Sequence, residues 1–151
     1  PSPAPPPLGQ VCSLDGATPT VCSSPVTYTA LAAGQHKLVV TATDTEGPTT
    51  NTGSGSFTWR VDTTAPAVTI TDHPSDPSTT TTATFGFTAT DPDDTSGSLT
   101  FACSIDAVMP TPCTSPVTYT GLTTGQHTFT VRSTDPAGNV SPPQSFMWMI
   151  Q

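Results

Sequence analysis

The sequence predicts an all-β protein of tandem β-sandwiches, the first of which lacks its two N-terminal strands. Threonine, which is β-branched and favours strands, is abundant, and 18 prolines and 11 glycines divide the chain into short segments. No window of helical length is free of proline, glycine or clustered threonine, so no helix is expected. The third observation is a long internal repeat whose period is the size of one small sandwich domain.

The repeat relates Cys12–Asp44 to Cys103–Asp135 at a constant offset of 91 residues, without a gap. The two copies share the pieces CS-x-D, SPVTYT and GQH, and after a loop of different length Ser56–Trp59 corresponds to Ser145–Trp148. Because both copies alternate apolar and polar residues in the same places, both are expected to form the same kind of β-sheet.

The second copy is complete, so its strands can be assigned in order. Apolar residues alternate with polar ones in each segment, which is the pattern of strands with one buried and one solvated face. The expected strands are A at Val68–Thr71, B at Thr82–Thr90, C at Leu99–Ile105, a short C′ near Ala107–Pro110, E at Val117–Thr120, F at His127–Thr134, and G at Phe146, Trp148 and Ile150.

The segment VTYTGLTTGQHTFTVRSTDPAGNVSPP, residues 117–143, resembles the E–F–G region of the immunoglobulin-like and fibronectin type III-like tandem repeats of bacterial cell-surface adhesins and extracellular structural proteins. The shared features are a leucine, a glycine turn, an alternating strand, and an aspartate followed by an Ala-Gly-Asn loop. The linker Val61–Pro66 is similar to the junctions between such repeats. The resemblance implies tandem immunoglobulin-like β-sandwiches, which serve as stalks, spacers, binding tips or accessory modules of secreted enzymes.

The repeat divides the chain into a proline-rich extended segment at 1–7, an incomplete immunoglobulin-like repeat with strands C to G at 8–61, and a complete repeat at 62–151. The segment PSPAPPP stands where strands A and B of the first repeat are expected. Three explanations are open: the chain is a fragment of a longer array, another subunit supplies the missing strands, or the short sheet survives alone with its disulfide. The second repeat needs all of its own strands, so it offers no spare donor strand.

The cysteines occur as one pair in each repeat, with the same spacing. We expect the disulfides Cys12–Cys22 and Cys103–Cys113, each joining strand C to the segment before strand E. A four-cysteine metal site is disfavoured because no Cys-x-x-Cys pair occurs and the two repeats would have to converge. The paired cysteines therefore indicate an oxidising, extracellular or cell-surface location.

The net charge of −8 argues against two classes of partner. Eleven acidic residues stand against Lys37, Arg60 and Arg132, so nucleic acid and anionic membranes would be repelled, and no membrane insertion is expected. No enzyme is expected either, because the sequence contains no G-x-S-x-G motif, no H-E-x-x-H motif and no glycine-rich phosphate loop. The duplicated His36 and His127 fit a structural position at the start of strand F.

Acidic loops suggest a calcium site at the junction between repeats, since strand direction brings the linker and the B–C and F–G loops to one end of a sandwich. No cofactor is required by the sequence, but calcium is a candidate ligand. The candidate calcium residues are Asp62, Asp91, Asp93, Asp94, Asp135 and Asn139. The alternative is solvated turn chemistry without a metal. Asn139 also begins a glycosylation sequon, Asn139–Ser141.

The sequence thus predicts a secreted, non-catalytic structural repeat protein of an extracellular fibre, stalk or adhesin, with strand complementation between subunits as one mode of polymerisation. The expected partners are other copies of the chain or neighbouring immunoglobulin-like repeats, with a glycan or surface ligand as a further candidate. The alternative is a carbohydrate-binding or spacer module of a secreted enzyme, which exposed aromatic residues on one sheet face would favour. Tyr28 and Tyr119 are ambiguous in this respect, whereas the aromatic residues of strands B, C, F and G are expected to point inward.

Overall fold

The computed structural model describes residues 9–44, 49–93 and 98–151, and the chain divides into two units, residues 1–62 and 63–151. The described residues form strands and turns, and no helix among them has the length and hydropathy needed to cross a membrane. The strands of the first unit are β1 (Gly9–Leu14), β2 (Thr20–Val21), β3 (Gly34–Asp44) and β4 (Asn51–Val61). Those of the second unit are β5 (Ala67–Asp72), β6 (Ala83–Thr90), β7 (Thr100–Ile105), β8 (Thr111–Cys113), β9 (Val117–Tyr119), β10 (Gly125–Thr134) and β11 (Gln144–Ile150).

The second unit is a β-sandwich of two antiparallel sheets, in the orders β11-β10-β7-β8 and β5-β6-β9. These orders correspond to strands G-F-C-C′ and A-B-E, so the expected all-β fold class is confirmed. The core lies between the sheets, where Phe85 and Phe87 of β6 meet Phe129 of β10 and Trp148 of β11. All four side chains are at most 2% exposed, because the period-two alternation of each strand directs its apolar residues to the same face.

The first unit forms the counterpart of one of these sheets, in the order β2-β1-β3-β4. Its longest pairing runs from Gly34↔Val61 to Asp44↔Asn51, between β3 and β4. Within the described residues of this unit, no strand corresponds to β5 or β6. The first unit therefore presents a single sheet where the second presents a sandwich.

The predicted strand E of the first repeat is wrong, since Val26–Tyr28 forms no strand. In the second unit the matching strand β9 is bonded to β6, with Ala83↔Tyr119 and Phe85↔Val117 as register partners. A strand is held by the hydrogen bonds of its neighbour, so a segment without a counterpart of β6 beside it does not become one.

The predicted strand C′ near Ala107–Pro110 is displaced along the chain, because the observed strand β8 is Thr111–Cys113. Asp106 and Ala107 adopt φ values of 51° and 60° and form the turn after β7, so pairing resumes only at Thr111, opposite Cys103. The predicted repeat boundary placed Asp62 in the second repeat, whereas it is the last residue of the first unit. The proline-rich segment 1–7, Leu8 and Asp94 lie outside the described residues.

Candidate functional site

The first unit carries a set of apolar side chains on one side of its sheet, which we call the open face. Phe57 is 67% exposed, Val26 is 39% exposed, and Leu38 and Trp59 are only half-buried. Large apolar side chains left in water are unfavourable, and grouped together they are typical of an interaction surface. The open face consists of Val26, Tyr28, Leu31, Leu38, Phe57 and Trp59.

The same positions of the second unit lie in its core or pack against it. Leu38 corresponds to Phe129, which is fully buried, and Trp59 corresponds to Trp148, which is 2% exposed. The difference arises because β6 supplies Phe85, whose ring stacks on Phe129 with 4.1 Å between centroids. The open face is therefore equivalent to the core face of the second unit, but no strand among the described residues covers it.

Two cavities lie on the open face. The larger, about 550 Å³, extends over Tyr28, Leu38, Phe57 and Trp59, and the rings of Phe57 and Trp59 are stacked with 5.9 Å between centroids. The smaller cavity, about 220 Å³, adjoins it at Leu38 and is lined in part by Gln10, Ser24 and the Cys12–Cys22 disulfide. None of the described residues that line either cavity is charged.

Sequence reasoning missed Phe57 and Trp59 as candidate binding residues. It matched them to Phe146 and Trp148, which were expected to point inward, and made no separate prediction for Phe57 and Trp59. The signal that could have identified them is that no counterpart of strand B occurs among the described residues of the first repeat, so none of these residues covers the two side chains.

Both predicted disulfides are present. Cys12–Cys22 and Cys103–Cys113 span 5.7 Å and 5.8 Å between their Cα atoms, and each joins the strand C equivalent to the following edge segment. In the first unit the disulfide is reinforced by a hydrogen bond from Cys22 N to Gln10 O. Each bridge holds the edge of its own sheet, and the Cys12–Cys22 bridge also lines the smaller cavity of the first unit.

The duplicated histidines occupy the same local network in both units. His127 Nδ1 lies 2.7 Å from Asp106 Oδ2, and its Nε2 lies 2.8 Å from Thr123 O. Asp106 Oδ1 accepts a further hydrogen bond from Thr128 N. Since both ring nitrogens face acceptors, the protonated imidazolium is favoured, and the backbone oxygen of Thr123 and then Asp106 raise the pKa of His127.

The first unit repeats this network. His36 contacts Asp15 at 2.7 Å and Ala32 O at 2.8 Å, and the pKa of His36 is raised by the same kinds of contact. The hydrogen bond from His36, followed by that from Lys37 N, lowers the pKa of Asp15. Each histidine thus ties the turn after strand C to the start of strand F, which is a structural role for both.

The candidate calcium residues of the second unit fall into two local arrangements. Asp93 N donates to Asp91 Oδ1 at 2.9 Å, and Thr64 Oγ1 donates to Asp93 Oδ2 at 2.9 Å. The Asp91 residue is buried, with 9% of its surface exposed. Its Oδ2 has no hydrogen-bond partner among the described residues. A buried carboxylate oxygen without a donor is costly, so this atom is the part of the predicted site that a cation would suit best.

Asp135 and Asn139 form the second arrangement, within the loop between β10 and β11. Asp135 Oδ1 accepts from Asn139 N and its Oδ2 accepts from Asn139 Nδ2, both at 2.8 Å. Burial would raise the pKa of Asp135, but these bonds together with the backbone N–H groups of Gly138 and Ala137 outweigh it and lower that pKa. Turn chemistry accounts for this pair. A glycan on Asn139 Nδ2 would alter the hydrogen bond that this nitrogen donates to the buried Asp135. Calcium binding and glycosylation both stay predictions.

Comparisons with known proteins support the fold. No protein-family model matches the sequence, and no curated protein matches it. Among solved structures, the fibronectin(III)-like modules of Clostridium thermocellum CbhA are similar, with a TM-score of 0.50 and 19% sequence identity. The match covers 99% of this chain and 80% of that chain. At this identity the similarity establishes the fold, and the predicted resemblance to bacterial immunoglobulin-like and fibronectin type III-like repeats is confirmed at that level.

Proposed function

We propose that the chain is a non-catalytic structural module of an extracellular fibre, stalk or adhesin, and that its open face is where a neighbouring copy or repeat attaches. The observation that carries the proposal is the contrast between the two units. The second buries Phe129 and Trp148 in a complete sandwich, whereas the first leaves the equivalent Leu38 and Trp59 half-buried. Phe57 of the first unit is 67% exposed. An apolar face of this kind is stabilised when a neighbour covers it.

An extracellular location is supported by the disulfides and by the composition. Each unit contains one disulfide, and disulfides of this kind persist in oxidising compartments. Only 9% of the residues are charged, and the abundant threonines keep the outer strand faces hydrated without charge. Both features suit a small structural module outside the cell.

A structural role is also supported by the contacts of the polar groups that would be candidates for catalysis. His36 and His127 each have both ring nitrogens against acceptors of their own unit, and they recur with the repeat. A general base needs a nitrogen that can reach a substrate. The duplication is explained by the fold, which needs the same turn in both units.

Sedimentation velocity at increasing protein concentration tests the proposal. We expect the chain to associate, and we expect Phe57→Lys to abolish association because it places a charge on the open face. Val21→Lys is the matched control, since Val21 is 88% exposed and does not line either cavity. A chain that stays monomeric at every concentration, or association that is insensitive to Phe57→Lys, would contradict assembly through this face.

A second candidate function, carbohydrate binding within a secreted enzyme, is favoured by one observation. The stacked rings of Phe57 and Trp59 form an exposed aromatic platform beside Tyr28. Sugar rings stack on such platforms through their apolar faces. Titration with soluble polysaccharides, followed by Trp59 fluorescence, would favour this function over assembly if saturable binding were lost in Phe57→Lys and the chain remained monomeric.

A further inference from the structure

We infer that the two cavities of the open face receive two aromatic side chains, spaced two residues apart on one incoming β-strand of the pattern small–x–aromatic–x–aromatic. The inference rests on the proposed function in taking the open face as the site where a neighbour attaches. It goes further by stating the chemistry and the register of the segment that occupies the face.

The larger cavity matches the environment of Phe85 in the second unit. The Phe85 ring lies 4.1 Å from Phe129, 5.2 Å from Trp148, 6.3 Å from Phe146 and 6.5 Å from Tyr119, between centroids. The corresponding residues of the first unit are Leu38, Trp59, Phe57 and Tyr28, and all of them line the larger cavity. The cavity is therefore the space that Phe85 fills in the second unit.

The smaller cavity matches the environment of Phe87. The Phe87 ring lies 4.9 Å from Phe101, and its backbone N donates to Ser115 Oγ at 2.8 Å. The residues that correspond to Phe101 and Ser115 in the first unit are Gln10 and Ser24, and both line the smaller cavity. Because Phe85 and Phe87 are two residues apart on one strand, both rings point to the same side and can enter both cavities together.

The backbone of the incoming strand has a counterpart in the segment Val26–Tyr28. In the second unit, β6 runs antiparallel to β9, with Ala83 opposite Tyr119 and Phe85 opposite Val117. Transferred by the repeat, this register places the small residue opposite Tyr28 and the first aromatic residue opposite Val26. The incoming strand would thus take the place of β6 and give Val26–Tyr28 the partner that it needs to form strand E.

Charge restricts the partner further. The described residues that line the two cavities are uncharged, so a charged side chain at an inward position would lose its hydration without gaining a partner. The alternate, outward positions carry no such restriction and can be polar, as Thr84 is in β6.

The occupant is a strand from a separate segment and not β6 of a second copy. In its own unit β6 is paired with β5 on one edge and β9 on the other, and Phe85 is fully buried. Withdrawing β6 would unfold the second unit of the donor, which costs more than the open face would regain. Association of two copies through their open faces would then be weaker than binding of a free strand with the right pattern. Such a strand would displace one copy from the other.

The probe for this inference is a synthetic peptide with the sequence of residues 80–90, TTTATFGFTAT, carrying a fluorescent label. We expect a saturable rise in its anisotropy when the full chain is added, together with a blue shift of Trp59 emission as the face is covered. A matched peptide with serine in place of both phenylalanines should bind at least roughly tenfold more weakly, since the aromatic side chains supply most of the contact area.

Variants of the full chain locate the binding. Phe57→Lys should weaken binding at least roughly tenfold, and Val21→Lys should leave it unchanged. Leu38→Lys, which alters both cavities, should abolish it, with circular dichroism used to verify that the sheet is retained. Absence of binding at millimolar peptide, equal binding of the serine peptide, or binding insensitive to Phe57→Lys would each overturn the inference.

The outcomes separate this inference from the proposed function. If copies associate through Phe57 but the peptide neither binds nor displaces them, the strand inference fails and assembly stands. If the chain is monomeric but binds the peptide with the expected pattern, assembly of copies fails and the strand inference stands.

Discussion

Replacing Phe129 with alanine tests whether the aromatic cluster of the second unit is a close-packed core. Phe129 is fully buried, and its ring centroid lies 4.1 Å from that of Phe85, 6.0 Å from Phe87 and 6.1 Å from Tyr119. Truncating a phenylalanine in such a site removes its transfer free energy and leaves a cavity, at a cost of about 3–5 kcal/mol. That is a large part of the roughly 5–15 kcal/mol by which small domains are stable.

The assay is urea unfolding of the full chain in a Trp59→Phe background, where Trp148 is the remaining tryptophan and reports on the second unit. With a slope of about 1–1.5 kcal/mol per molar urea, Phe129→Ala should lower the midpoint by roughly 3 M. Met147→Ala is the matched control, because Met147 is 60% exposed on β11, and it should change the free energy of unfolding by less than about 0.5 kcal/mol.

A milder variant protects the test against complete loss of folding. Phe129→Leu introduces the residue that the first repeat has at this position, Leu38, and should cost about 1–2 kcal/mol. If Phe129→Ala cost less than about 1.5 kcal/mol with an unchanged urea slope, the cluster could not be close-packed. The comparison between an open face and its covered equivalent would then lose its basis.

Three further predictions concern the turns and loops. The pKa of His127 is raised above its ordinary value of 6.5, so its contribution to stability is complete below that pH and is lost as pH rises through the higher folded value. The urea midpoint of the second unit should therefore fall as pH rises above 6.5, and His127→Gln should flatten the profile. Ala107 has a φ of 60°, and the first repeat has Gly16 at the equivalent position. Ala107→Gly should therefore raise the free energy of unfolding by roughly 0.5–1 kcal/mol. An unchanged or lower free energy in urea unfolding would show that the turn is not strained. The calcium hypothesis predicts that isothermal titration with calcium gives heat. Asp91→Asn should reduce this heat, because it removes the Asp91 Oδ2, which is buried without a partner among the described residues. The hypothesis fails if millimolar calcium gives no heat.

The strands of the second unit could be predicted because their pattern is local. In β6, Ala83, Phe85 and Phe87 alternate with polar or small residues, and this period of two is sufficient to identify both the strand and its inward side. The disulfides were equally accessible, since each pair lies within one short segment and recurs with the repeat. Local pattern was less informative at the edge, where the turn at Asp106 and Ala107 moves strand C′ to Thr111.

The candidate site could be predicted only in part, because it depends on what covers a residue as well as on the residue itself. Phe57 and Phe146 occupy equivalent positions in the repeat, yet Phe57 is exposed and Phe146 is packed against the core. The segments Val26–Tyr28 and Val117–Tyr119 are identical in sequence, yet only the second is a strand. In both comparisons the difference comes from β6, which has no counterpart among the described residues of the first unit.

The sequence by itself determined the fold class, the repeat and the disulfides, because each depends on spacing along the chain. The tertiary structure decided that strand E of the first unit does not form and that the core face of that unit stays open among the described residues. It also located the two cavities that match Phe85 and Phe87 of the second unit. The physical reason is that burial and strand pairing are properties of neighbours, so the same residues become a core in one unit and an exposed face in the other.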